Sequence, residues 1–184
     1  MTRRTIRRTM LVTVVLGALV VTGWWWSRRP HSREVPAPSA ADSARAGVRS
    51  VGLYFAAPGG DSLVKEAREV VDSPDVGRRI RVLVSELDRG PRGRGVAALP
   101  AGTGVLHCYL DDGGLLTLDL TGAFRQGFRG GTTAEYLAIG SLVRTLGANV
   151  PEVKRVLIIC VGRPIATLGG HLPLDQPLDV HDWP

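Results

Sequence analysis

The longest unbroken apolar run is Met10–Trp26, MLVTVVLGALVVTGWWW, with no charge in 17 residues. As a helix it spans roughly 25 Å at about 1.5 Å per residue, close to the roughly 30 Å hydrocarbon core of a bilayer. Trp24, Trp25 and Trp26 close it, and indole rings favour the headgroup interface. The pattern predicts an uncleaved signal anchor over 10–26, behind a basic cytoplasmic N-terminus over 1–9. A cleaved signal peptide is the competing reading, but the small-residue sites near Ala40 and Ala46 lie far beyond the run. Residues 27–48 are rich in Pro, Ala, Ser and Arg without apolar periodicity, which predicts a disordered linker.

From residue 49 to 184 the pattern is that of a folded domain. Val51–Phe55 reads as a strand, Ala57–Asp61 as a turn and Leu63–Val71 as the returning strand. Ser73-Pro74-Asp75 predicts a helix start with Ser73 as N-cap. Val76, Ile80, Leu83, Val84 and Leu87 then share one helical face until Gly90-Pro91. Val105–Leu110 and the alternating Leu116, Leu118 and Leu120 flank the turn Asp111–Gly114 as a second hairpin. Thr132 and Glu135 form the pattern of a capping box, opening a helix to Leu146 with Gly147 as terminator. Val156–Val161 lacks alternation and predicts a central strand covered on both faces, followed by a turn at Gly162 and a last strand at Ile165–Thr167. The tail from Leu168 to Trp183 reads as loop. The predicted order is β-β-α-β-β-α-β-β, an α+β fold with a small mixed β-sheet and two helices. A strict βαβ alternation is missing, which argues against a dinucleotide-binding sheet.

Charge changes this picture in one respect. The formal charge of +6 resides in residues 1–47, where Arg3, Arg4, Arg7, Arg8, Arg28, Arg29, Arg33 and Arg45 face only Glu34 and Asp42. Beyond them acids and bases balance, so the domain has no surplus basic face for nucleic acid. Basic residues flanking an apolar segment instead steer topology and touch anionic headgroups. The chain is thus expected in the cell membrane as a single-pass protein, with its C-terminal domain extracytoplasmic.

Candidate chemistry is sparse. Cys108 and Cys160 both fall in strands; they are either a disulfide or two buried thiols, and a bridge requires neighbouring strands with Cα atoms within about 7 Å. His171, Asp175, His181 and Asp182 match no metal-ligand spacing, so no metal or cofactor is expected. Asp111 and Asp112 are turn residues and Asp119 lies on a polar strand face, so no catalytic residue is expected. Arg78, Arg79 and Arg81 are a candidate partner-binding cluster, and Gly169-Gly170-His171 a second, each weighed against a purely structural role.

Several stretches together resemble a known family: VGLYFAAPGGDSLV (51–64), RVLVSELDRGP (81–91), LPAGTGV (99–105), DDGGLLTLDLTGAF (111–124), GGTTAEYLAIGSLVRTL (130–146) and VKRVLIICVGRPIATLGGHLPLDQPL (153–178). Their order resembles the GerMN domain, a sporulation and spore-germination module. One departure is Val161-Gly162, where the family usually has an acidic residue before Gly. The resemblance implies a domain similar to the ring-building domains of secretion machines. It further implies a non-enzymatic scaffold or interaction module in sporulation, germination or envelope assembly, with envelope or sporulation proteins, or a second copy of itself, as partners. The alternative is a domain binding cell-wall polymer or a small ligand.

Overall fold

A computed structural model describes residues 47–183. The anchor 10–26 and nearly all of the linker lie outside the described residues. Val48, placed at the linker's end by sequence, already belongs to the first strand.

Strands β1 (Val48–Ala56) and β2 (Leu63–Val71) form an antiparallel hairpin, with Gly52 opposite Ala67. Val51, Leu53 and Phe55 alternate along one buried face of β1. Helix α1 (Val76–Asp88) follows and buries Ile80, Leu83, Val84 and Leu87, the face expected from spacing. Its N-cap is Asp75 rather than Ser73: the Asp75 carboxylate accepts the Arg78 N–H at 2.6 Å. Ser73 Oγ instead accepts the Asp75 N–H, which tightens the approach to the helix.

Strand β3 (Val105–Leu110) pairs antiparallel with β4 (Leu115–Leu120), and β4 pairs parallel with β5 (Arg155–Cys160). The other edge of β5 takes two short antiparallel strands, β6 (Arg163–Pro164) and β7 (Leu178–Asp179). The last hairpin therefore closes at 163–164 instead of 165–167, and part of the tail read as loop completes the sheet. Between β4 and β5 lie a short helix α2 (Gly122–Gln126), absent from the sequence prediction, and helix α3 (Thr132–Asn149). The chain is an α+β fold, with a two-stranded and a five-stranded sheet around shared helices.

Strand β5 is central in pairing but covered on one face only. Val156, Ile158 and Cys160 are buried, whereas Leu157 and Ile159 are half-buried on the opposite face. That face includes Tyr109, which is 70% exposed. The core is filled instead by Leu116, Leu118 and Leu120 of β4, α1, the β1 face and Ile139, Leu142, Val143 and Leu146 of α3.

Helix α3 also seals a sheet edge. Asn149 accepts from the Gly52 N–H at 3.0 Å and donates to the Gly52 carbonyl at 2.8 Å. Thr145 Oγ1 accepts from the Tyr54 N–H, and Ser141 Oγ donates to the Tyr54 carbonyl. Val96 continues the same edge by exchanging two backbone bonds with Ala56. Ser141, Thr145 and Asn149 are spaced by four, so one helical stripe meets every second residue of the strand. Gly147 does not end this helix, which runs two residues further. A Cβ at Gly147 would sit 2.8 Å from the Val180 Cβ, so the residue is small to admit the C-terminal segment.

Candidate functional site

At the start of α3 the capping box does not form. The N-cap is Gly131, with no side-chain cap, and the Glu135 carboxylate turns inward instead. Glu135 is fully buried and gathers the tail: its Oε1 accepts the N–H groups of Leu168 at 2.9 Å and Gly169 at 2.8 Å. Its Oε2 accepts the His171 N–H at 2.9 Å and lies 3.1 Å from His171 Nδ1. Burial pushes the pKa of Glu135 up, but the N–H donors of Gly169, His171, Leu168 and Leu172 outweigh it and hold the carboxyl below the ordinary glutamate value. Gly170 sits at φ +98, a conformation that only glycine adopts without strain, and this lets the tail wrap around the carboxylate. Gly169 and His171 thus meet on Glu135, while the Gly170 N–H between them donates to Thr167 Oγ1 at 3.0 Å.

Other acids are committed in the same manner. Asp119 accepts the Gly162 N–H through both oxygens, at 3.0 and 3.1 Å. Val161 and Gly162 both have positive φ, 53 and 70, as a two-residue type I′ hairpin requires. The family's acidic residue at that position tolerates this region better than the β-branched Val161 does. Asp88 accepts the N–H groups of Gly102 and Thr103 and so fixes the loop after α1. Arg68, buried in β2, donates to Glu86 at 2.9 Å, to the Gly90 carbonyl at 3.1 Å and to Glu66.

The arginine cluster divides. Arg79 pairs with Glu152 at 2.6 Å, while Arg78 and Arg81 are exposed. Glu152 lies beyond the C-terminal end of α3 and His171 is held at Glu135 near its beginning, ends about 25 Å apart at 1.5 Å per residue. The two candidate groups therefore do not form one site.

Cys108 and Cys160 are free. They lie on β3 and β5 with β4 between, so the condition for a bridge fails: two strand spacings amount to about 9.6 Å. The Cys108 thiol approaches the Gly77 carbonyl at 3.8 Å and the Cys160 thiol the Thr121 carbonyl at 3.3 Å. Burial pushes both thiols' pKa values up, toward the protonated form.

Sequence reasoning missed a cleft of about 730 Å³ between the turn after β1, the segment 96–100 and the entry to α3. Ala57, Pro58, Ala97, Ala98, Phe128 and Leu137 give it apolar walls; Arg129, Thr132 and Thr133 supply its polar side chains. The signals were present as the small-residue run 96–102 and Gly130-Gly131, but only the fold brings them together.

Comparison with known proteins places this architecture. The family model for Germane, sporulation and spore germination, matches residues 52–166. No curated protein sequence matches the chain. The fold is similar to that of a Clostridium perfringens protein described as a lipoprotein, with TM-score 0.53 and 19% identity over 74% of this chain and 90% of that one. It is similar to the first GerMN domain of the sporulation protein GerM from Bacillus subtilis, with TM-score 0.57 and 18% identity over 71% of this chain and 97% of that one. Against the tandem GerMN domains of GerM the TM-score is 0.59 at 17% identity, covering 73% of this chain and 47% of that one, so the chain spans about half of the tandem. With the family model matching well over half its length, the chain belongs to the Germane (GerMN) family of sporulation and spore germination.

Proposed function

We propose that this protein is a non-enzymatic interaction module of sporulation, spore germination or cell-envelope assembly. The segment 10–26 holds it to the membrane, and the domain works outside the cytoplasm by docking a partner protein. The observation that carries this reading is how the domain uses three of its carboxylates. Glu135, Asp119 and Asp88 each accept backbone N–H donors and fix a loop, so these acids serve the frame of the domain, while its cleft has apolar walls and no acidic side chain. Apolar walls with a few polar groups suit recognition of a ligand by shape.

The test is cross-linking of the full-length tagged protein in sporulating or dividing cells of its own host, followed by purification from membranes. The expected result is one or a few defined envelope proteins, or a second copy of this chain, cross-linked through the domain. Retention on purified peptidoglycan without any protein partner overturns the reading in favour of polymer binding. A hydrolytic activity abolished by a single carboxylate-to-amide change in a folded variant overturns it in favour of an enzyme.

A further inference from the structure

Resting on that reading, we infer that the cleft at the entry to α3 receives an extended, acidic segment of the partner protein. Three features of the cleft argue for this occupant.

The first is an open backbone edge. Val96 exchanges both of its backbone bonds with Ala56, which makes a single isolated antiparallel bridge beside β1. In an extended strand neighbouring residues point their N–H and C=O groups the opposite way. Ala97 makes no backbone hydrogen bond on that outward side. Ala97 and Ala98 line the cleft and carry only methyl groups, so another backbone can approach closely. An extended peptide adding to such an edge gains main-chain hydrogen bonds whatever its sequence.

The second is the apolar wall. Phe128, Leu99, Leu137 and Pro58 line the cleft and offer pockets to alternate side chains of an added strand.

The third is charge. No acidic side chain lines the cleft, and Arg129 does. The first turn of the 18-residue α3 begins beside it at Thr132 and Thr133, without a side-chain cap. The turn's own acid, Glu135, complements that helix end from the buried side, on the tail loop, and does not line the cleft. The cleft therefore presents the Arg129 cation, whose guanidinium donates to the Gln126 and Phe128 carbonyls at 2.7 Å, with no acidic side chain in its lining to neutralise it. This complementarity selects an acidic segment over a neutral or basic one. It also argues against the chain's own residues 27–46, whose Arg28, Arg29, Arg33 and Arg45 outnumber Glu34 and Asp42.

The experiment uses the full chain in detergent micelles and a fluorescent pool of end-blocked hexapeptides built from Val, Leu and Ala with one Glu. The control pool carries Gln in place of Glu. Anisotropy titrations are expected to show the Glu pool binding at least tenfold more tightly. The variant Thr133→Glu places a carboxylate in the cleft at a helix N-terminus, where it favours the helix, so the domain stays folded. It is expected to abolish the preference for Glu with no loss of thermal stability, and Arg129→Gln to weaken it several-fold. Equal binding of the two pools, binding by neither, or a preference that survives Thr133→Glu overturns the inference. Failure is separable from failure of the broader reading: a cross-linked partner whose recovery is unchanged by Thr133→Glu leaves the docking module intact and moves its docking surface elsewhere.

Discussion

At its first turn α3 holds the loop 168–171 through one buried carboxylate, whereas along its last turns it holds β1 through three neutral side chains. The difference follows from what each neighbour presents. The tail loop turns several N–H groups toward one point, and a carboxylate, which only accepts, satisfies them together. The edge of β1 presents N–H and C=O groups in turn, and only side chains that both donate and accept can match it. Asn149 does so alone at Gly52, and Thr145 and Ser141 divide the task at Tyr54. The charged anchor is the stronger and is tied to pH, while the neutral suture is weaker per bond and indifferent to it.

Breaking the charged end should have the largest effect. Glu135→Ala leaves the N–H groups of Leu168, Gly169 and His171 without their acceptor, and a loss of about 4 kcal/mol in urea unfolding is expected. The same residue gives the domain an acid sensitivity of known sign. Its folded pKa is depressed, so its contribution is fully present above the unfolded value of about 4.3 and is lost as pH falls through the folded value. Comparing Glu135→Gln with the parent by denaturation between about pH 6 and pH 3 isolates this part, and the gap between the two should narrow toward the acid end. At the neutral end, Asn149→Ala strands the buried N–H and carbonyl of Gly52, and about 3 kcal/mol should be lost at every pH in that window. Thr145→Val keeps the shape and removes one acceptor, for about 2 kcal/mol, again without pH dependence. A pH-dependent loss in either neutral variant would refute the contrast. The smallest effect should be a gain: Val161→Asn relieves a β-branched residue at φ 53 and should add about 1 kcal/mol, read as a higher Tm.

Local patterns in the sequence revealed the elements far better than the contacts between them. Alternation in Leu116, Leu118 and Leu120 and the helical spacing from Val76 to Leu87 act within a few residues, and both became the elements expected of them. Caps were legible only roughly, because Ser73 and Asp75, two residues apart, are both able to cap and only the local geometry chooses. Glu135 illustrates the harder case. Its spacing from Thr132 suggested a local bond, yet its partners lie 33 to 36 residues away. Gly147 looked like a helix end because glycine has that use, whereas here its small size serves packing against Val180. The disulfide depended on strand order, which no spacing between Cys108 and Cys160 encodes, and β4 came between them. The cleft needed three distant segments to converge, each of them ordinary by itself.

Trp183 is the one tryptophan among the described residues, the other three being Trp24, Trp25 and Trp26. It is nearly buried over Gly140 and stacks on Tyr136 with ring centroids 4.6 Å apart. The domain consequently carries its own optical gauge. With Trp24–Trp26 replaced by phenylalanine, the remaining emission reports whether the C-terminal strap lies on α3, and a red shift preceding global unfolding would mark its detachment as a separate event.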